Sequence, residues 1–125
     1  MGVHESHIQV LLDGKATREA IINGFTSLKD NKDIRRNNPI LIYFAGHGAR
    51  EDAQSDLIGY PKGAHIEMIC PADIGGRAPG GKKIPGIHDY TIAALLNQLA
   101  EAKGNNIVKC SSKSFIGYML TYLGM

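Results

Sequence analysis

Apolar and polar positions change period several times along the chain, and each change predicts an element. Ile8-Gln9-Val10-Leu11-Leu12 is a short apolar run closed by Asp13-Gly14, which predicts a strand and then a turn. Thr17 follows as an N-cap. Ile21, Ile22, Phe25 and Leu28 recur at three- and four-residue spacing, the period of a helix with one face on a core. Asn37-Asn38-Pro39 ends the polar connection, and Ile40 to Ala45 is an unbroken apolar run. Strand, helix and strand within so short a span predict a βαβ unit whose strands pair in parallel through a right-handed crossover.

Beyond that run the chain turns polar and glycine-rich until His65-Ile66-Glu67-Met68-Ile69-Cys70, whose partial alternation predicts a short, half-exposed edge strand ended by Pro71. Five glycines between Ala72 and Gly86, with Pro71, Pro79 and Pro85, predict a surface loop. Asp89 then heads a helix whose apolar face is Ile92, Leu95, Leu96 and Leu99, with Gly104 as its C-terminal stop. Ile107-Val108 begins another strand, expected to last about three or four residues before Lys109-Cys110-Ser111-Ser112 breaks it, against a usual five or six. Phe115 to Leu120 is an apolar tail with no partner evident.

The run Pro39-Ile40-Leu41-Ile42-Tyr43-Phe44-Ala45-Gly46-His47-Gly48-Ala49 carries the main chemical signal. Six apolar positions without alternation suit an interior strand of a parallel sheet covered on both faces, and ligands bind just beyond the carboxyl ends of such strands. His47 stands at such an end between two glycines, which permit a sharp turn and close approach of a substrate to the backbone. A plain polar stop to the strand would produce the same histidine; the glycines and the uninterrupted strand favour a reactive imidazole.

Composition narrows what that imidazole serves. With 125 residues, 43% apolar and 21% charged, the chain predicts one small globular domain with a single core. A net charge of +2, without a basic stripe interleaved with aromatics, argues against a nucleic-acid partner. No apolar stretch approaches the roughly 20 residues that span a bilayer, and Met1 to Ser6 has no leader pattern, so a cytoplasmic protein without a membrane partner is expected. Met1-Gly2 before Ser6 is a weak fit to a myristoylation pattern. Cys70 and Cys110 lack metal-ligand spacing and read as reduced thiols.

Gly76 to Lys82 matches the GxxxxGK spacing of a phosphate loop, but Lys83 stands where a hydroxyl is needed and Ile84-Pro85-Gly86 prevents the helix that would face a phosphate. Asp73 reads as a turn residue and Asp89 as an N-cap. His4, His7, His65 and His88 have no ligand spacing and read as surface histidines. A histidine at a strand end serves best as base for a nucleophile on a neighbouring strand. In this topology that strand is the one beginning at Ile107, and Cys110 is the cysteine on it; its other reading is an ordinary thiol.

Together these residues resemble the caspase-like cysteine peptidases, and metacaspase-type and fungal caspase-domain proteins more than animal caspases. The resemblance runs from about Val3 to Ile107. Ile42-Tyr43-Phe44-Ala45-Gly46-His47-Gly48 is similar to the family's strand ending in [S/A]-G-H-G. Asp13 through Ile22, Ile69-Cys70-Pro71-Ala72-Asp73 and Ile87-His88-Asp89-Tyr90-Thr91-Ile92 follow in the family's order. The resemblance implies a three-layer α/β caspase-like fold with a mostly parallel sheet, incomplete, over residues 1–108, and a divergent tail over 109–125. It implies proteolysis, with His47 as the catalytic histidine and the backbone N–H of Gly48 as an oxyanion donor. Asp73 and Asp89 fall near acidic positions that in metacaspase relatives shape a basic-residue pocket or bind calcium; no other cofactor is required, and the partner is a peptide or protein substrate.

The chain departs from the family at its end. Where the family ends a full strand in a D-x-C-H-S-G-like nucleophile motif, this sequence reads Val108-Lys109-Cys110-Ser111-Ser112-Lys113-Ser114, and the family's first strand would precede Met1. The expectation is a cysteine endopeptidase domain inactive in this chain, or alternatively a catalytically dead caspase-fold module that binds a partner.

Overall fold

The computed structural model describes residues 2–53, 61, 63–112 and 118–122. Elements follow in the order β1 (Ile8–Leu11), α1 (Arg18–Asp30), β2 (Ile40–Ala45), β3 (Gly48–Asp52), β4 (His65–Ile69), β5 (Ile87–His88), α2 (Asp89–Lys103), β6 (Ile107–Ser112) and β7 (Tyr118–Tyr122), with short 3₁₀ turns at Glu5–His7 and Asp13–Lys15. The strands form a four-stranded sheet in the order β1-β7-β2-β6 and a three-stranded sheet in the order β3-β4-β5. The fold is therefore mixed α/β.

Helix α1 starts where the sequence predicts, because the Thr17 hydroxyl accepts a hydrogen bond from the Ala20 N–H at 3.1 Å. Its start has a second acceptor: the Asp73 carboxylate takes the Arg18 N–H at 2.8 Å, and Ala72 N–H bonds Ala16 C=O at 2.8 Å. Ile21, Phe25 and Leu28 bury the inner face of α1. At the other helix the cap lies one residue earlier than expected. His88 is the N-cap and makes no side-chain capping bond, whereas Asp89 is the first helical residue and its carboxylate accepts the Tyr90 N–H at 2.7 Å. Gly104 ends α2 with φ of 88°, and its N–H bonds Ala100 C=O at 2.8 Å.

Ile21, Phe25, Leu28, Ile40, Ile42, Ile92 and Leu99 belong to one continuous core, joined by Leu95, Leu96 and Ile107. The helices pack against each other over Ile40 and Ile42, on one face of the larger sheet. Leu41 and Tyr43, on the alternate positions of β2, are only half-buried. Val108, the register partner of Leu41, is 54% exposed, and Val10, one strand beyond Tyr43 across Met119, is 44% exposed. Among the described residues, the strand expected to be covered on both faces is thus covered by helices on one.

The predicted parallel pairing of the first two long strands also gives way. β1 and β2 run in the same direction, but β7 lies between them, antiparallel to both. The apolar tail supplies that strand; residues 115–117 of it, like Met1, Lys113 and Ser114, lie outside the described residues. The parallel pair is instead β2 with β6, which spans six residues, longer than expected. β2 keeps its predicted interior place.

The second sheet corrects two further readings. Gly48–Asp52, polar enough to resemble loop, is a fully exposed strand, and β4 is central rather than an edge. Between Pro71 and Gly86 the loop is organised as a small hairpin: Gly75 N–H bonds Ile84 C=O, Ala78 N–H bonds Lys82 C=O, and Ala78-Pro79-Gly80-Gly81 turns with φ of 97° at Gly80. The GxxxxGK spacing falls on this hairpin, with no helix after the lysine.

Candidate functional site

The chain leaves the larger sheet at Ala45, bends at Gly46 and enters the smaller one at Gly48, so His47 occupies the junction, with its side chain exposed. It stands just past the carboxyl end of β2. The parallel neighbour β6 reaches the same level, because Ser112 is the register partner of Ala45. A nucleophile at the level of His47 would therefore follow Ser112 on β6.

Gly48 sits in the antiparallel pairing with Ile69. The Cys70 N–H donates to the His47 C=O at 2.9 Å, which makes Gly48 and Ile69 a non-hydrogen-bonded pair. The Gly48 N–H consequently points away from β4. As β3 is an edge strand, that N–H is directed along the open side of the sheet, where an oxyanion could accept it. A Cβ at Gly48 would lie 3.3 Å from the Met68 carbonyl oxygen, so the close strand approach suits glycine.

Cys110 is not brought to His47. It is exposed and lies within β6 opposite Tyr43, four residues before His47 in the aligned strand. At about 3.3 Å per residue that is a displacement of about 13 Å along the strands. The second thiol is closer. Cys70 directly follows β4, and its backbone is bonded to that of His47. Burial pushes the Cys70 thiol above the ordinary range, so at neutral pH it holds its proton. The sequence reading missed this proximity because it depends on the pairing of β3 with β4, and β3 has no apolar signal.

The acidic residues take structural places. Asp73 holds the start of α1 through Arg18, and Asp89 engages the first turn of α2. Among the described residues, no three His, Cys, Asp or Glu side chains gather as a cation site around Asp89 or elsewhere. His88, read as a surface histidine, is mostly buried: it is paired with Glu51 across the smaller sheet and stacked on Tyr90 at 5.0 Å. Among the described residues no helix is long and apolar enough to cross a membrane. Comparison of the chain with protein-family models, curated proteins and solved structures finds no match.

Proposed function

We propose that this chain is a caspase-like cysteine endopeptidase domain, a protein of proteolysis, in which the imidazole and the oxyanion donor are present and the nucleophile is out of place. The observation that carries the reading is the delivery of His47-Gly48 to the carboxyl end of an interior strand with a parallel neighbour ending beside it. In the chemistry of such a site, His47 takes the proton of a cysteine thiol as sulfur attacks the peptide carbonyl, then returns it to the leaving amine. The Gly48 N–H accounts for one oxyanion contact, a group typically worth about 3 to 4 kcal/mol to the transition state. A thiol must come within about 3 to 4 Å of the imidazole. Cys110 misses that by several strand positions.

The expected outcome is no appreciable turnover of peptides with Arg, Lys or Asp before the scissile bond, with or without calcium. Turnover abolished by both His47→Ala and Cys110→Ala would make Cys110 a relocated nucleophile and overturn the inactive reading. The second reading, a caspase-fold module that binds a peptide without cleaving it, is favoured by the same register of Cys110. Peptide binding that His47→Ala weakens, in a chain without turnover, would select it. A calcium-dependent rise in thermal stability, lost in Asp89→Asn, would add a cation to either reading. Both readings place the domain in the cytoplasm, where its thiols remain reduced.

A further inference from the structure

We infer that Cys70 and His47 form a reactive thiol–imidazole pair, a modification site for small soft electrophiles. The two residues come from different elements and meet only through the pairing of β3 with β4. The paired register ends at Gly48 and Ile69, and one step beyond it the Cys70 N–H still donates to the His47 C=O at 2.9 Å. Residues opposed in this way carry Cβ atoms about 4.5–5.5 Å apart, within reach of a thiol and an imidazole after rotation about χ1.

The surroundings of Cys70 favour this partner. On its other flank the register of β4 with β5 continues to Gly86, which has no side chain, and the Met68 thioether crowds the place of its missing Cβ. Pro71, fully buried, follows directly and biases Cys70 to an extended backbone, which fixes the root of the thiol. The thiol is half-buried and burial pushes it above the ordinary range, so a neighbouring base that takes its proton speeds its reaction. His47 is the titratable side chain nearest to it in the strand pairing. Cys110 is exposed, and the register places Tyr43 opposite it.

Iodoacetamide alkylates the Cys70 sulfur. The Cys70 thiol proton passes to an unprotonated ring nitrogen of His47, a sulfur lone pair forms the bond to the methylene carbon, and iodide leaves with its bonding pair. The imidazolium then releases the proton to water. Peptide hydrolysis at Cys70 is not implied, because the Gly48 N–H points away from β4 and cannot serve an oxyanion formed there. The pair therefore shares His47 with the proposed peptidase reading and stands without it.

The test uses the full chain, with alkylation followed separately at each cysteine by mass spectrometry at neutral pH. General-base assistance is worth about 10² or more in rate, so His47→Gln should slow Cys70 by at least about tenfold and leave Cys110 unchanged in the same molecules. Added imidazole should restore the Cys70 rate in His47→Ala. An unchanged Cys70 rate in His47→Gln overturns the pair, and so does a slowed rate that imidazole does not restore. Peptide cleavage plays no part in this measurement, so absent turnover leaves the pair standing, and turnover carried by Cys110 with an unassisted Cys70 removes the pair alone.

Discussion

The helix-backed sheet and the ribbon β3-β4-β5 share one core through Ile87 but differ in what else holds them. In the first, Leu28, Ile40 and Leu99 are almost fully enclosed, and burying such side chains contributes about 1.5–3 kcal/mol each. In the ribbon, Ile66 and Ile87 are enclosed apolar residues, and the outer end carries polar side-chain pairs: the Arg50–Glu67 ion pair at 3.1 Å and the His65 imidazole with the Asp52 carboxylate at 3.0 Å, all more than half exposed. Surface pairs of this kind contribute about 0.2–1 kcal/mol. His47 lies where the two regimes meet, with a rigid strand behind it and a lightly held edge strand ahead. Such a boundary permits an exposed imidazole to be placed by the core without being enclosed by it.

Three substitutions test this division, beginning with the largest effect. Leu28→Ala should lower the stability of the whole chain by about 2–5 kcal/mol, read as a lower urea midpoint, because the cavity opens between both helices and β2. If the ribbon's amides keep their hydrogen-exchange protection when the helices lose theirs, the two regions are independent and the comparison fails. Gly86→Ala places a methyl against the Met68 side chain and 3.1 Å from the Ile69 carbonyl oxygen. Overpacking of this kind costs about 1–3 kcal/mol, and exchange should quicken in β4 and β5 before it does in α1. Arg50→Gln should change the melting midpoint least, by no more than the equivalent of about 1 kcal/mol. A larger loss would show that the ribbon depends on its charges as the other sheet depends on its core.

Much of the scaffold was legible because burial writes a period into sequence. Ile21, Phe25 and Leu28 announced α1, Ile92 and Leu99 announced α2, and the run from Ile40 announced the interior strand. The glycines around His47 marked the bend. Asp73 was less legible, because its acceptor role at α1 joins residues 55 positions apart.

What the sequence determined by itself were the elements whose stability is local or one-faced: the apolar faces of both helices, the Thr17 cap of α1, the Gly104 stop of α2, β2, and the junction at His47. Tertiary structure decided which strands became neighbours. Pairing is made by backbone N–H and C=O groups that every residue carries, so nothing in Tyr118–Tyr122 states that it enters between β1 and β2, and nothing in Gly48–Asp52 states that it pairs with β4. The same indifference governs the chemistry. The sequence offers two thiols for one imidazole, and strand register alone sets Cys70 beside His47 and Cys110 opposite Tyr43, because a shift of one residue along a strand moves a side chain by about 3.3 Å and reverses its face.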